Sequence, residues 1–201
     1  ELARNYVAKL EMEPEIGSLE SQRVLDFGAG TGAMSKALEE RGAEVHSVDP
    51  FAYDLLESSG HNAYKELRDL PASIEFDGAV AVEVLEHVPH PDVTLGEIAS
   101  VLSERGWLYL STPNRGGLNA RMFRGSWREI DKAGHLYFFD PKSIHRLLSG
   151  SGFIGRRRSW AVDYHAGMRG ILHRILVSSR LDGALRVIAI KDPRGYRETA
   201  S

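Results

Sequence analysis

Three features are missing from this sequence, and each absence argues against a class of protein. The 201 residues contain no cysteine, so disulfide scaffolds, thiolate metal sites and cysteine nucleophiles are excluded together. No uninterrupted apolar run approaches the roughly 18 residues that a membrane-spanning helix needs. The N-terminus also lacks a basic leader followed by an apolar run. The sequence therefore predicts a single cytoplasmic domain over residues 1–201, without a transmembrane segment.

The two signs of charge are unevenly distributed along the chain, although the net charge is only -3. Residues 1–112 carry 8 Lys and Arg against 21 Asp and Glu, whereas residues 113–201 carry 17 against 7. An anionic partner would therefore bind the C-terminal half. A solvated basic surface without a partner explains the same counts, and the sequence leaves both interpretations open.

Short apolar segments alternate with segments of helical periodicity over most of the chain. Residues 78–82 are almost entirely apolar, as in a strand that is covered on both faces of a parallel sheet. The alternation predicts right-handed crossovers and an α/β, doubly wound, Rossmann-like fold. The predicted strands are Arg23–Phe27, Glu44–Asp49, His61–Tyr64, Asp77–Val84, Trp107–Ser111, Phe153–Val162 and Ala184–Ile190. The predicted helices are Leu2–Leu10, Thr31–Arg41, Ala52–Ser58, Pro91–Ser103 and Pro141–Leu148.

Three segments fall outside this alternation. Residues 1–20 are predicted to be a helical lead-in that packs over the first loop. Residues 113–140 are rich in Gly, Arg and Asn and predict a substrate-side insertion or lid, because long irregular segments in compact domains usually have a function. Residues 191–201 are polar and predict a frayed tail.

A glycine-rich loop between the first strand and the first crossover helix is the strongest chemical signal in the sequence. Gly28, Gly30 and Gly32 follow a strand and precede a helix, which is typical of a nucleotide or cofactor loop. Asp26 argues against a dinucleotide, because a carboxylate beside the loop would repel a pyrophosphate. The cationic S-adenosylmethionine (SAM) would instead be attracted. Asp49, after the second strand, is placed to accept hydrogen bonds from the ribose hydroxyls of either cofactor. The alternative to a cofactor role is that Asp26 only caps its own loop and that Gly32 only allows close packing of the helix.

The ordered segments VLDFGAGTG, SVDP, FDGAVAVEVLEHVPHP and WLYLSTPN resemble the motifs of class I SAM-dependent methyltransferases over residues 20–160. Within that class the chain is similar to small-molecule enzymes of the ubiquinone-biosynthesis O-methyltransferase type. The segment GHLYFF, at residues 134–139, resembles the C-terminal pattern of these enzymes. The resemblance implies a seven-stranded sheet with an antiparallel last strand, and S-adenosylhomocysteine (SAH) as the product. It also implies cofactor contacts, with the methionine portion at Gly28, Ala29 and Gly30, the ribose at Asp49 and Pro50, the adenine at Glu66 and Leu67, and the sulfonium rim at Glu83 and Val84.

Methyl transfer to a hydroxyl or amine is assisted by a base, and the candidates are two histidines. His87 follows the strand at 77–84, and His135 lies where the insertion returns to the sheet. A structural role for either histidine remains the alternative. Glu83, Glu86 and His87 lie close together in sequence, but we predict no metal site there, because Glu83 is already assigned to the cofactor.

The insertion is expected to select a small-molecule acceptor. Asn114, Trp127 and Tyr137 are the predicted acceptor contacts. Its arginines predict an anionic acceptor, or a lipid-borne one with peripheral membrane contact; they are Arg115, Arg121, Arg124 and Arg128. A nicotinamide-dependent oxidoreductase and a catalytically silent cofactor-binding module remain as alternatives. A nucleic-acid methyltransferase is disfavoured, because Ser111-Thr112-Pro113-Asn114 lacks the Asn/Asp-Pro-Pro-Tyr/Phe tetrad of amino-directed enzymes.

Overall fold

A computed structural model describes residues 1–157 and 183–193 of the chain. Seven strands form one sheet in the order β3-β2-β1-β4-β5-β7-β6, and β7 runs antiparallel to both of its neighbours while β1 to β5 are parallel. The strands are β1 Arg23–Phe27, β2 Glu44–Val48, β3 Asn62–Tyr64, β4 Phe76–Val82, β5 Leu102–Pro113, β6 Phe153–Arg157 and β7 Ala184–Lys191. The helices are α1 Leu2–Glu11, α2 Ala33–Glu39, α3 Tyr53–Ser58, α4 Pro91–Val101, α5 Leu118–Phe123 and α6 Pro141–Gly150.

The sheet separates two hydrophobic clusters. Successive side chains of a strand point to opposite faces, so Ala79 and Ala81 pack on one side of β4 and Val80 packs on the other. One cluster includes residues from α4 and α6, and the second includes residues from α1 and α2. Both faces of the central strands are therefore buried, as the continuous apolar run in β4 predicts.

The predicted doubly wound, seven-stranded fold with an antiparallel last strand is confirmed. The helical lead-in is present as α1, and its predicted packing over the glycine loop stays a prediction. Tyr6, Val7 and Leu10 of α1 pack in the cluster that includes Met34 and Leu38 of α2. The reason is that these three side chains form one apolar stripe on a helix, and α2 and the sheet provide the apolar surface that buries it.

Two further predictions fall partly outside the described residues. The strand predicted to reach Val162 is described as far as Arg157, and the rest of it lies outside the described residues. The same is true of the predicted frayed tail beyond residue 193. Within the described parts of the chain, the helices are too short or too polar to cross a bilayer.

The topology brings the chemistry-bearing loops to one edge of the sheet. The five parallel strands end at the same edge, so the segments that follow β1, β2, β4 and β5 lie near one another. The order of the strands reverses between β1 and β4, and this switch point is where open α/β sheets form their ligand crevice. The segments around this switch point are therefore the expected place of a binding site.

Candidate functional site

The glycine loop passes close to the segment that follows β4. The backbone N–H of Gly28 donates to the carbonyl of Val48 at 2.8 Å, and Gly28 has a φ of +74°. A Cβ at Gly28 would overlap the side chain of Val84. Glycine is therefore required here for both the backbone conformation and the close approach of the two segments.

Asp49 joins the loop after β1 to the end of β2. Its Oδ2 accepts a hydrogen bond from the backbone N–H of Gly30 at 2.9 Å. Its Oδ1 accepts from the N–H groups of Phe51 and Ala52, both at 2.9 Å. These bonds orient the carboxylate at the edge of the sheet, and a carboxylate with two oxygens has further lone pairs with which to bind a ligand hydroxyl.

A cavity of about 750 Å³ opens beside Asp49, and we call it the cofactor cavity. Seven of the eleven residues predicted to bind the cofactor line it, namely Gly28, Asp49, Pro50, Glu66, Leu67, Glu83 and Val84. Sequence reasoning missed other residues of the wall, including Lys65, Pro89 and Glu97. Lys65 and Pro89 lie in different loops and Glu97 lies in α4, so no single sequence signal grouped them.

The other four predicted cofactor residues lie outside this wall. Ala29 is buried, and Gly30 reaches the site only through its bond to Asp49. Gly32 begins α2 with a φ of +75°, and a Cβ there would lie 2.8 Å from His61 and 3.0 Å from Leu56. Gly32 thus serves the packing of α2, which is the alternative that the sequence left open.

Asp26 is also turned away from the cofactor cavity. It is 2% exposed, and its Oδ2 accepts a hydrogen bond from the hydroxyl of Ser35 on α2 at 2.6 Å. The hydroxyls of Ser35 and Ser47 lie 2.8 Å apart and extend the network. Burial raises the pKa of Asp26 to about 6, against the opposing effect of the Ser35 hydrogen bonds. The strand therefore directs the Asp26 side chain to α2, and its predicted attraction to a cationic cofactor stays a prediction.

A second cavity of about 660 Å³ adjoins the first, and we call it the acceptor cavity. Glu83 lines both cavities and is accessible to solvent through them. Its backbone has a φ of +56°, which is uncommon for a residue with a side chain, and its N–H donates to the carbonyl of Ser111 at 2.8 Å. The hydroxyl of Ser111 donates to Oε1 of Glu83 at 3.2 Å. Partial burial of the carboxyl group, and then the nearby Glu86, raise the pKa of Glu83 to about 7.

Of the three predicted acceptor contacts, only Trp127 lines the acceptor cavity. Asn114 is buried, and its side chain accepts from the N–H of Gly116. The hydroxyl of Tyr137 donates to the carbonyl of Pro89 at 2.8 Å, on the outside of the fold. Both residues thus organise the ends of the insertion rather than the cavity wall.

The acceptor cavity has a basic side. Arg128 is the only member of the predicted arginine group on its wall, where Lys132 and the buried Arg186 join it. Sequence reasoning missed Arg186. The sequence does contain a signal that could have identified it, because Arg186 is the one charged residue within the apolar segment ALRVIAI of β7.

The two predicted catalytic histidines lie beside each other, with ring centroids 4.7 Å apart. His87 lines the cofactor cavity. The side chain of His135 is 3% exposed and lines neither cavity, and burial lowers its pKa. One ligand atom from each of Glu86, His87 and His135 lies within 4.8 Å of the others. The sequence analysis weighed Glu83, Glu86 and His87 as a group, whereas the structure brings His135 to Glu86 and His87.

Comparison with known proteins agrees with this geometry. A family model described as a methyltransferase domain matches residues 3–155. The chain belongs to this family. The methyltransferase domain is 35% identical over 120 residues to the ubiquinone biosynthesis O-methyltransferase of Bordetella avium, over 53% of this chain and 49% of that protein. The predicted family resemblance is thereby confirmed. The chain spans about half the length of the curated relatives it matches.

Solved structures extend the agreement to the whole fold. A SAM-dependent methyltransferase from Mesorhizobium loti has a TM-score of 0.68 at 18% identity, over 94% of this chain and 98% of that one. The magnesium protoporphyrin IX methyltransferase from Synechocystis, which was solved with bound SAH, has a TM-score of 0.60 at 19% identity, over 94% of this chain and 82% of that one. At these identities the likeness establishes that the methyltransferase domain has their fold.

Proposed function

We propose that this methyltransferase domain binds SAM in the cofactor cavity and transfers the methyl group to a small molecule in the acceptor cavity. Asp49 would accept hydrogen bonds from the ribose, with Pro50 beside it. Glu66 and Leu67 would contact the adenine, and Gly28 and Val84 would line the path towards the sulfonium. The neighbouring structure with bound SAH supports this choice of cofactor.

The observation that carries the proposal is that one residue, Glu83, borders both cavities. The methyl carbon of SAM is already activated by the sulfonium, so catalysis consists mainly in holding the acceptor in line behind it. Two adjoining cavities with a shared wall place two ligands at that short distance. An oxygen or nitrogen nucleophile is the acceptor type that would exploit an adjacent proton acceptor.

Glu83 is the proton acceptor that the geometry favours. Its carboxylate lies on the wall between the two cavities and is oriented by the hydroxyl of Ser111. A pKa of about 7 allows it to take a proton near neutral pH. His87 remains a second candidate from the cofactor side, whereas the burial of His135 argues against direct contact with an acceptor.

The charge and the exposed surface of the insertion support an anionic or lipid-borne acceptor. Arg128, Lys132 and Arg186 line the acceptor cavity, where Arg128 and Lys132 pair with Glu129 of the same wall. The cations of this wall outnumber Glu129 and would attract a carboxylate or an acidic phenol. Met122 and Phe123 of α5 are 65% and 57% exposed, and Phe123 lies on the wall of that cavity. Peripheral contact of α5 with a membrane would explain both features. The cytoplasmic location stays a prediction from the sequence.

A nicotinamide-dependent oxidoreductase is not favoured, because the family membership points to methyl transfer. The deciding measurement is calorimetric titration of the purified protein with SAH and, separately, with NAD. We expect SAH to bind and NAD to fail. Methyl transfer from isotopically labelled SAM to catechol and to 3,4-dihydroxybenzoate, followed by mass spectrometry, then tests the activity and the preference for an anion. Binding of NAD without SAH would overturn the proposal, and SAH binding without transfer to a wide acceptor panel would support the silent module.

A further inference from the structure

Three side chains form a row across neighbouring strands on the wall of the acceptor cavity. Arg186 of β7 lies directly opposite Ser111 of β5. Ser111 pairs in turn with Val82 of β4, and Glu83 follows Val82 in the chain. The hydroxyl of Ser111 donates to Oε1 of Glu83 at 3.2 Å, and all three members of the row line the cavity. The row therefore has a carboxyl group at one end and a guanidinium group at the other.

Arg186 lies where one face of β7 leaves the hydrophobic core and enters the acceptor cavity. Alternate residues of a strand share a face, so Arg186 points to the same side of β7 as Ile188 and Ile190. Ile188 and Ile190 pack in the hydrophobic cluster that includes α1 and α2, whereas Arg186 lines the cavity. Arg186 is nevertheless only 3% exposed. Because the burial of a charge is unfavourable, a cation at this position indicates a role in binding rather than in packing.

The other two cations of this wall are engaged by a carboxylate of the protein. Nε of Arg128 pairs with Oε1 of Glu129 at 2.7 Å, and Nζ of Lys132 pairs with Oε2 of the same residue at 2.5 Å. The side chain of Arg128 is also 83% exposed, so water and salt screen its charge. Arg186 differs from both, because it is buried and lies on a strand. A binding group on a strand is positioned more precisely than one on a loop.

The guanidinium group of Arg186 is suited to a carboxylate. It presents several N–H donors in a planar fork, which matches the two oxygens of a carboxylate. Because it has several donors, Arg186 can bind such a ligand in addition to a partner within the protein. Neighbouring strands lie about 4.8 Å apart, so β4 and β7 are about 10 Å apart across β5. A ligand along the row would therefore carry its carboxylate one or two rings away from the group that faces Glu83.

We propose that Arg186 determines the specificity of the acceptor cavity by binding the carboxylate of a hydroxy acid, whose hydroxyl group is thereby held beside Glu83. This inference rests on the proposed function, because it assigns the acceptor of the same methyl transfer. In that step the bond between sulfur and the methyl carbon breaks, the hydroxyl oxygen bonds to the methyl carbon, and the hydroxyl proton passes to Glu83. Arg186 takes no part in these changes and contributes by fixing the position of the acceptor.

The test compares the binding of acids with the binding of their neutral amides, by calorimetry with and without SAH. Phe123 and Trp127 on the cavity wall favour aromatic probes. The probes are 4-hydroxybenzoate, 4-hydroxycinnamate and 6-hydroxy-2-naphthoate, each with the corresponding amide. At least one acid should bind tenfold or more tightly than its amide. In Arg186→Gln the affinity for that acid should fall at least tenfold, whereas the affinity for the amide should change less than threefold.

Two further variants separate a specific contact from the general charge of the protein. Arg146→Gln removes a positive charge from an exposed position on α6, which packs on the other face of the sheet, and should leave the affinity for the acid unchanged. Arg186→Lys keeps the charge but loses the planar fork, so its affinity for the acid should fall at least threefold while the affinity for the amide is kept. Circular dichroism and SAH binding report whether each variant is folded. If Arg186→Gln does not fold, Arg186→Lys decides the question.

The outcomes distinguish this inference from the proposed function. A preference for the acid that is lost in Arg186→Gln and kept in Arg146→Gln supports the inference, even if no methyl transfer is found. The inference is wrong if no acid binds, if every amide binds as tightly as its acid, or if Arg186→Gln keeps the preference. It is also wrong if Arg146→Gln loses the preference as well. Each of these results would leave the proposed function intact where SAH binds and a neutral acceptor is methylated.

Discussion

The carboxylate of Asp49 is bonded to the backbone N–H of Gly30 at 2.9 Å, so the end of β2 and the loop after β1 are held as one unit. Asp49→Ala should therefore remove a ribose contact and also loosen the glycine loop. We expect SAH affinity to fall at least tenfold in calorimetry. Asp54→Ala, which removes an exposed carboxylate from α3, is the matched control and should leave affinity unchanged. Equal affinity in the Asp49 variant would remove this residue from the site.

The contact between Gly28 and Val84 predicts an energetic coupling. Gly28→Ala introduces a side chain at a φ of +74° and forces it into Val84, so the free energy of unfolding should fall by about 2 kcal/mol. In the double variant with Val84→Ala, the collision is relieved but the backbone strain remains. Urea denaturation of all four proteins should give a coupling of about 1 kcal/mol. Strictly additive losses would show that the two residues do not collide.

The position of Glu83 between the cavities predicts a catalytic effect. Glu83→Gln keeps the shape of the side chain but cannot accept a proton, so kcat should fall about 100-fold. SAH affinity should change less than threefold, because the cofactor wall is preserved. Ser111→Ala removes only the orienting hydroxyl and should have a smaller effect on kcat. An unaltered kcat in Glu83→Gln would exclude Glu83 as the base and direct attention to His87.

The buried Asp26 predicts a stability that depends on pH. Its pKa is about 6 in the folded chain and 3.8 as the ordinary value, so the folded state holds its proton more tightly. Stability is therefore greatest below about pH 4 as far as this group is concerned, and it falls as pH rises from about 4 to 6. The two-unit shift corresponds to about 3 kcal/mol. Urea denaturation at several pH values should show this slope in the unmodified chain and its loss in Asp26→Asn. Asp54→Asn should keep the slope, and an identical slope in Asp26→Asn would contradict the assignment.

Much of the fold could be predicted from local patterns. The run at 78–82 and the alternation of strands and helices are enough for a doubly wound sheet, because the apolar periodicity of an element reports how many of its faces are buried. The position of Asp49 followed in the same way, since acids at the ends of neighbouring parallel strands reach one edge. Asp26 is the instructive exception. The family was predicted partly from its charge, but the structure directs that carboxylate to Ser35, and the family match supports the conclusion on other grounds.

The sequence by itself determined the order of the elements, the cofactor loop and the family, because these depend on residues that are close together along the chain. Only the tertiary structure decided which distant side chains meet. Arg186 reaches the acceptor cavity because β7 pairs with β5, and His135 reaches Glu86 because backbone bonds dock the end of the insertion on the turn after β4. Such contacts are set by strand pairing and loop closure over tens of residues, and no local periodicity encodes them.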